Sequence, residues 1–339
     1  MFLACVALFS SSPLALVVAK PELKARGSGV VINEALHNEA STYRAIPGKG
    51  PEKWDPANSK KFVHFDCGTD TNNASKALLE TVKSLRDDNK AGSPGAKLRA
   101  KALLARQGPI LVPTVFHIVS TTANAATVLP TMPEAQIAAL NKMYNPIGFQ
   151  FQLLTTTWTT NDAWSIGAGD SMNEMKRSLR QGGYNTLNIY FHTDLEGGIL
   201  GKCSMPSQIG DPTSLVAVLP SIYFDDGCSV NAGTMPGGSV FGYDQGMTAV
   251  HETGHWLGLF HTFEGYSCEG DGDFIADTPP QSESTDGCPV EVKDSCPGLE
   301  GVDAVHNIMD YSTDACYEGF SPLQVERMLQ MWGQFRAGK

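Results

Sequence analysis

The chain has 339 residues, 42 % of them hydrophobic, and its 36 acidic against 25 basic side chains give a formal net charge of −11. That length suits one or two globular domains able to bury a sizeable core. The acidic excess argues against nucleic acid or an anionic membrane as a partner, because phosphate surfaces select clustered Lys and Arg.

Phe2 to Phe9 is apolar, Ser10 to Pro13 interrupts the run, and Leu14 to Ala19 resumes it ahead of Lys20. The pattern predicts a signal peptide over 1–19, with Val17 and Ala19 as the small residues of the cleavage site. Nothing further along is apolar for long enough to span a bilayer, so the expectation is a secreted, extracellular protein with no membrane segment after signal removal. Residues 20–106 hold little apolar periodicity and read as a pro-segment or N-terminal extension. One helix is expected there, Ala74 to Asp87, on which Leu78, Leu79, Val82 and Leu85 share a face. Asn73-Ala74-Ser75 is an N-glycosylation sequon, which makes Asn73 a candidate site. Basic residues between Arg99 and Arg106 mark the expected maturation cut ahead of a catalytic domain at 107–339.

From Pro109 the order of elements is α/β (α+β). Ile110 to Val119 reads as a strand with Pro113 near its start. A helix follows, with Thr131 and Glu134 as a capping box, Pro133 in the first turn, and Ile137, Leu140 and Tyr144 inward. Phe149, Phe151 and Leu153 alternate as a strand. Met172, Met175 and Leu179 mark a helix ended by Gly182-Gly183, and strands are expected at Thr186 to Phe191 and Leu215 to Leu219. Together these predict a twisted mixed sheet carrying helices. Gly197 to Lys202 is a candidate rim strand, to which an extended peptide could add by main-chain hydrogen bonds. Ser321, Pro322 and Gln324 predict a capped final helix burying Val325, Met328, Leu329 and Trp332.

The chemistry concentrates in His251-Glu252-Thr253-Gly254-His255-Trp256-Leu257-Gly258-Leu259-Phe260-His261. On a helix, His251 and His255 stack on one face and reach a single ion. Gly258 ends that helix and returns the chain, bringing His261 to the same point. Three nitrogens leave one tetrahedral position open, the arrangement of a catalytic zinc, with Glu252 as general base. Asp271, Asp273 and Asp277 form an oxygen-rich patch, of which Asp273 and Asp277 are candidate calcium ligands. Of eight cysteines, signal removal takes Cys5 and leaves Cys67 upstream of six in the catalytic part, whose pairings the residues alone leave open.

The run H-E-x-x-H-x-x-G-x-x-H, followed by Met309 within His306-Asn307-Ile308-Met309-Asp310-Tyr311-Ser312, resembles the metzincin clan of metallopeptidases. Val250 to Phe263, Asp277-Thr278-Pro279, Asp294-Ser295-Cys296-Pro297 and Asn307 to Cys316 resemble its pappalysin family, including secreted fungal extracellular metalloproteases. The likeness implies a metzincin-like fold with an active-site helix and a disulfide-stapled irregular C-terminal subdomain. It also implies Met309 as an apolar floor beneath the imidazoles and Tyr311 as an oxyanion stabiliser. The disulfides it implies are Cys268–Cys296 and Cys288–Cys316, which leaves Cys203 with Cys228. Cys67-Gly68-Thr69 resembles the core of a cysteine switch, with Phe65 and Asp66 where the family carries a basic residue. The expected function is that of a secreted zinc-dependent endopeptidase, a metalloendopeptidase made as a zymogen. It would hydrolyse protein or peptide substrates by a metal-activated water with Glu252 as base. The alternative is a catalytically silent extracellular binding or adhesion protein. Loss of His251, Glu252, His255 or His261 would mark it, and all four are present.

Overall fold

Strand β1 (Ile110–Ser120) is the axis of a five-stranded sheet with β2 (Phe149–Thr160), β3 (Leu187–His192), β4 (Gly201–Cys203) and β5 (Cys228–Asn231), in the order β2-β1-β3-β5-β4. The computed structural model describes residues 65–89, 108–209 and 220–339, which all fall within one compact unit, Thr42–Lys339. The signal segment, the expected maturation cut and the strand expected at 215–219 lie outside the described residues. Four strands run parallel, and β4 closes one edge antiparallel to β5. Pro113 precedes the first β1 residue paired with β3, Thr114 opposite Leu187, so its missing N–H costs that ladder nothing.

A parallel sheet needs cover on both faces, and the burial pattern of β1 and β3 shows it. Val112, Phe116 and Ile118 of β1, with Leu187, Ile189 and Phe191 of β3, join the main core. There they meet three helices: α2 (Met132–Tyr144), α5 (Met247–Trp256) and α6 (Pro322–Met331). On the opposite face Val119 and Tyr190 pack against Met175 of α3 (Gly169–Leu179). His117 stacks on Tyr190 there and is held by Thr157 and Asn188, so it is a buried structural imidazole. Between α3 and β5 lies the short α4 (Pro220–Asp225).

Three local expectations differ from what the chain does. Thr131 has helical backbone angles and makes no side-chain cap, because the chain has already turned at Leu129, whose carbonyl accepts from the Met132 N–H. A capping residue needs a non-helical backbone to turn its oxygen onto the first free N–H groups. Helix α3 stops at Leu179, where Arg180 becomes extended, rather than at Gly182-Gly183. Strand β2 runs on to Thr160, well beyond Leu153, because all of β1 pairs with it. The final helix carries the expected reciprocal cap between Ser321 and Gln324 and continues as a π turn, Trp332–Arg336.

Upstream, helix α1 (Lys76–Asn89) docks Leu78 and Val82 against Met205, Phe260, Met331 and Phe335. Beyond α5 the chain from Thr262 to Val305 contains no helix or long strand, and cysteine bridges take their place. Cys268 is joined to Cys296, Cys288 to Cys316 and Cys203 to Cys228. Replacing Cys268 and Cys296 together by Ser should cost about 2–5 kcal/mol in denaturant unfolding. A midpoint equal to the wild type would show that the loop's hydrogen bonds suffice without the bridge.

Candidate active site

Helix α5 is buried from end to end. Its own N-cap, Gly246, offers no side chain, and the cap arrives from far along the chain: Asp314 accepts from the N–H groups of Gln245 (2.7 Å) and Met247 (3.4 Å). Burial pushes the Asp314 carboxyl up to about 7, against the pull of those two N–H groups. At the other end Gly258 takes the left-handed conformation (φ +90°), and a Cβ there would lie 2.5 Å from Met331, so both backbone and packing demand glycine. That turn returns His261 to the helix.

His255 Nε2 lies 3.2 Å from His251 Nε2 and 3.1 Å from His261 Nε2. His251 Nδ1 faces the Ile308 carbonyl (2.7 Å) and His255 Nδ1 that of Leu259 (2.8 Å), so each Nδ1 carries the proton and each Nε2 presents a lone pair. His261 Nδ1 faces Glu264 at 3.6 Å. Lone pairs held this close repel unless a cation lies between them. Nitrogens about 2.0–2.1 Å from one tetrahedral ion stand about 3.3–3.4 Å apart, so the donor set fits zinc. Burial lowers His251 to about 3 and takes His255 well below its usual range, both in the neutral form a metal needs.

The Glu252 carboxyl lies between the Cys67 thiol and the sheet edge. Its carboxylate is so close to β4 that a Cβ on Gly201 would lie 2.6 Å from Oε1. Burial raises its carboxyl to about 8. Beneath the imidazoles the Met309 sulfur fills the space a Cβ on Gly254 would need, at 2.5 Å. Tyr311 places its hydroxyl 3.3 Å from His261 Nε2. The turn that carries both is knotted by Asp310, which accepts from Gln281, from the Thr285 N–H and hydroxyl, and from the Tyr311 N–H.

The cleft above the histidines is filled by residues 65–71. Asp66 and Gly68 bond to Leu200 and Gly201 across a bridge of Cys67 to Gly201, so the segment lies along β4 as an added strand. Cys67 is half-buried, with Sγ 3.5 Å from His255 Nε2, and the four potential ligand atoms lie within 4.8 Å of one another. Its N–H donates to the Tyr311 hydroxyl at 3.2 Å, and the Thr69 hydroxyl donates to Glu252 Oε2 at 3.1 Å.

The peptidase family model described as pregnancy-associated plasma protein-A matches residues 214–332. An extracellular metalloprotease of Aspergillus oryzae is 44 % identical over 68 % of this chain and 79 % of its own length. The chain belongs to the pappalysin family of metallopeptidases. Another relative, an extracellular metalloprotease of Neurospora crassa, is 40 % identical over 80 % of this chain and 90 % of its own. Among solved structures, mature mirolysin of Tannerella forsythia in complex with a cleaved peptide is 27 % identical and covers 67 % of this chain and 92 % of its own, with a TM-score of 0.56. As a pappalysin this chain is a zinc metalloendopeptidase, a hydrolase of peptide bonds with a metzincin fold.

The remaining expected residues fall elsewhere. Asp271, Asp273 and Asp277 do not converge on a calcium site, because each is committed to protein. Asp271 pairs with Arg86, while Asp273 is buried and accepts from Thr278 and the Ile275 N–H. Asp277 accepts from Ser321 and the Leu323 N–H at the start of α6. Asn73 lies in a short 3-10 turn, Thr71–Asn73. A surface cavity of about 620 Å³, between Val290, Val305, His306 and Phe320, lies away from the chemistry. The histidine cleft itself is filled by residues 65–71.

Sequence reasoning put Gly201 in the candidate rim and Thr69 in the switch-like run but did not find their contact with Glu252, and it did not find Asp314. Gly201 and Thr69 matter only through tertiary contact with Glu252. Asp314 sits 67 residues from the Met247 N–H it caps, beyond the reach of any capping pattern.

Proposed function

We propose that His251, His255 and His261 hold the zinc ion through Nε2, and that Glu252 is the general base and Tyr311 the oxyanion stabiliser. The observation that carries this is the convergence of three lone-pair nitrogens, two of them with their other ring nitrogen tied to a backbone carbonyl. Zinc supplies a Lewis acid that polarises the scissile carbonyl and makes water acidic near neutral pH. Glu252 Oε1 is buried without a protein partner and is free to take the proton of the attacking water. The same carboxyl then delivers it to the leaving amine. The Tyr311 hydroxyl donates to the oxyanion as the carbonyl becomes tetrahedral.

In this reading residues 1–19 direct secretion, 20–106 are a pro-segment, and 107–339 are the catalytic domain acting on peptides and proteins outside the cell. Secretion is supported by the extracellular names of the relatives and by the three disulfides. Among the described residues no helix is long and apolar enough to cross a membrane. The pro-segment keeps the enzyme latent through Cys67, whose Sγ stands where a fourth ligand belongs. A thiolate about 2.3 Å and a nitrogen about 2.05 Å from one ion stand about 3.5 Å apart, the separation found here.

Two measurements test the proposal. Chelation should abolish cleavage of a denatured protein by the matured enzyme, and zinc should restore it. The uncut precursor should be inactive, with Cys67→Ala raising its activity roughly tenfold or more. A zinc-loaded, uncut Cys67→Ala precursor that stays fully latent would show that the thiol is not the lock.

A further inference from the structure

Phe65 is completely buried, although it belongs to a segment that maturation would remove. Its ring lies 4.7 Å from Tyr311, 5.0 Å from His251 and 5.5 Å from Tyr243, with Leu200, Val240 and Phe263 completing the enclosure. All of these walls belong to the catalytic domain. The segment enters as an added strand on β4, and in a strand residues two apart point to the same side. Cys67 therefore faces the histidines while Phe65 faces the adjoining pocket. Because one wall is the ring of His251, the pocket adjoins the place where a scissile bond must lie.

Departure of the segment would open a cavity walled by two tyrosines, a phenylalanine and aliphatic carbons. The side chains packed round the Phe65 ring in this cluster are aromatic or aliphatic, and the Tyr311 hydroxyl is turned toward His261 and the Cys67 N–H, on the side of the histidines. Asp286 and Asp314 act electrostatically on Tyr243 and so disfavour an acidic guest, which leaves the choice between an apolar and a basic one to the contacts of the walls. An aromatic ring is the guest such walls reward, since it buries a large area and prefers tilted or edge contacts like those Phe65 makes. We infer that this pocket is the main selectivity subsite of the mature enzyme, taking a large apolar or aromatic side chain from a residue flanking the scissile bond. Phe65 is thus a plug with the chemistry of the preferred substrate. The inference rests on the proposed site but makes a separate claim about what fills it.

The test uses enzyme matured from the full chain and a peptide library randomised on both sides of the cleaved bond. Phe, Tyr, Leu and Met should be enriched roughly tenfold or more over Gly, Ala and Asp at one flanking position, the range a hydrophobic pocket can discriminate. A flat profile, or enrichment of Arg, Lys or Asp at both flanking positions, overturns the inference. Binding is measured in parallel on matured Glu252→Gln, so the answer does not depend on turnover. There a peptide with Phe at the flanking position should bind roughly tenfold tighter than its Ala counterpart. Equal affinity rejects the pocket even if the enzyme cleaves. Conversely, a zinc-loaded wild type that cleaves nothing while the Glu252→Gln variant keeps the Phe preference rejects the catalytic reading and leaves the pocket standing. A Val240→Asp wall variant should shift preference from Phe toward Arg and Lys; an unchanged profile in a folded variant counts against the inference.

Discussion

Replacing Glu252 by Gln should leave zinc content near that of the wild type and remove nearly all peptidase activity, a loss of roughly 10²–10⁴-fold or more. The amide is almost the same size, so it still fits beside Gly201, where there is no room for a Cβ. It also accepts from Thr69 as the carboxylate does, so the precursor should fold and dock its segment as before. What it cannot do is take a proton. The three imidazoles are untouched, and metal analysis should report them occupied. Measurement is of kcat/KM on a peptide by the matured variant at saturating zinc. Activity within a few-fold of wild type would remove Glu252 from the mechanism. His261→Ala gives the complementary result: it deletes a donor from the converging set, and its zinc content should fall under dialysis conditions that the Glu252→Gln variant survives.

The parts of this site that could be read from the sequence are those fixed by a few consecutive bonds. Four residues of helix place His251 above His255, and one left-handed glycine places His261, so spacing alone predicts the geometry. The reciprocal cap of Ser321 with Gln324 was legible for the same reason. Where the same logic met a chain already bent at Leu129, it failed at Thr131. The strand β5 escaped because its four residues, Cys-Ser-Val-Asn, show no alternation to separate them from a loop. They form a strand because β3 and β4 offer backbone partners on either side. The acidic loop misled for a related reason. Asp271, Asp273 and Asp277 are close in sequence, and only the fold sends them to Arg86, Thr278 and the start of α6.

The least legible element is also the one with the largest expected effect on stability. Asp226, in the turn before β5, is 1 % exposed and receives Arg336 at 3.0 and 3.2 Å, Arg180 at 3.3 Å, the Trp256 indole at 3.1 Å and the Ser204 hydroxyl at 3.0 Å. Arg336 is itself fully buried, donating to the carbonyls of Trp256 and Tyr184 while its guanidinium lies 3.6 Å from the centroid of the Trp256 ring. The four side chains are scattered from 180 to 336, so no spacing betrays them. Together they fasten Trp256, the last residue of α5, to the π turn that follows α6. Asp226→Ala should therefore cost about 3–5 kcal/mol, because it strands two guanidiniums inside the protein without their carboxylate. Burial opposes ionisation of Asp226, but Arg336 and then Arg180 outweigh it and hold the carboxyl below its usual range. A depressed carboxyl stabilises the fold fully above its unfolded value of about 3.9 and ceases to do so as pH falls through the lower folded value. The stability gap between wild type and Asp226→Ala should accordingly be constant from about pH 5 upward and close as the pH falls below about 4. Urea unfolding at several pH values measures both quantities. A gap under about 1 kcal/mol at neutral pH would mean that the arginines find other acceptors, and the knot would then be a consequence of the fold rather than one of its supports.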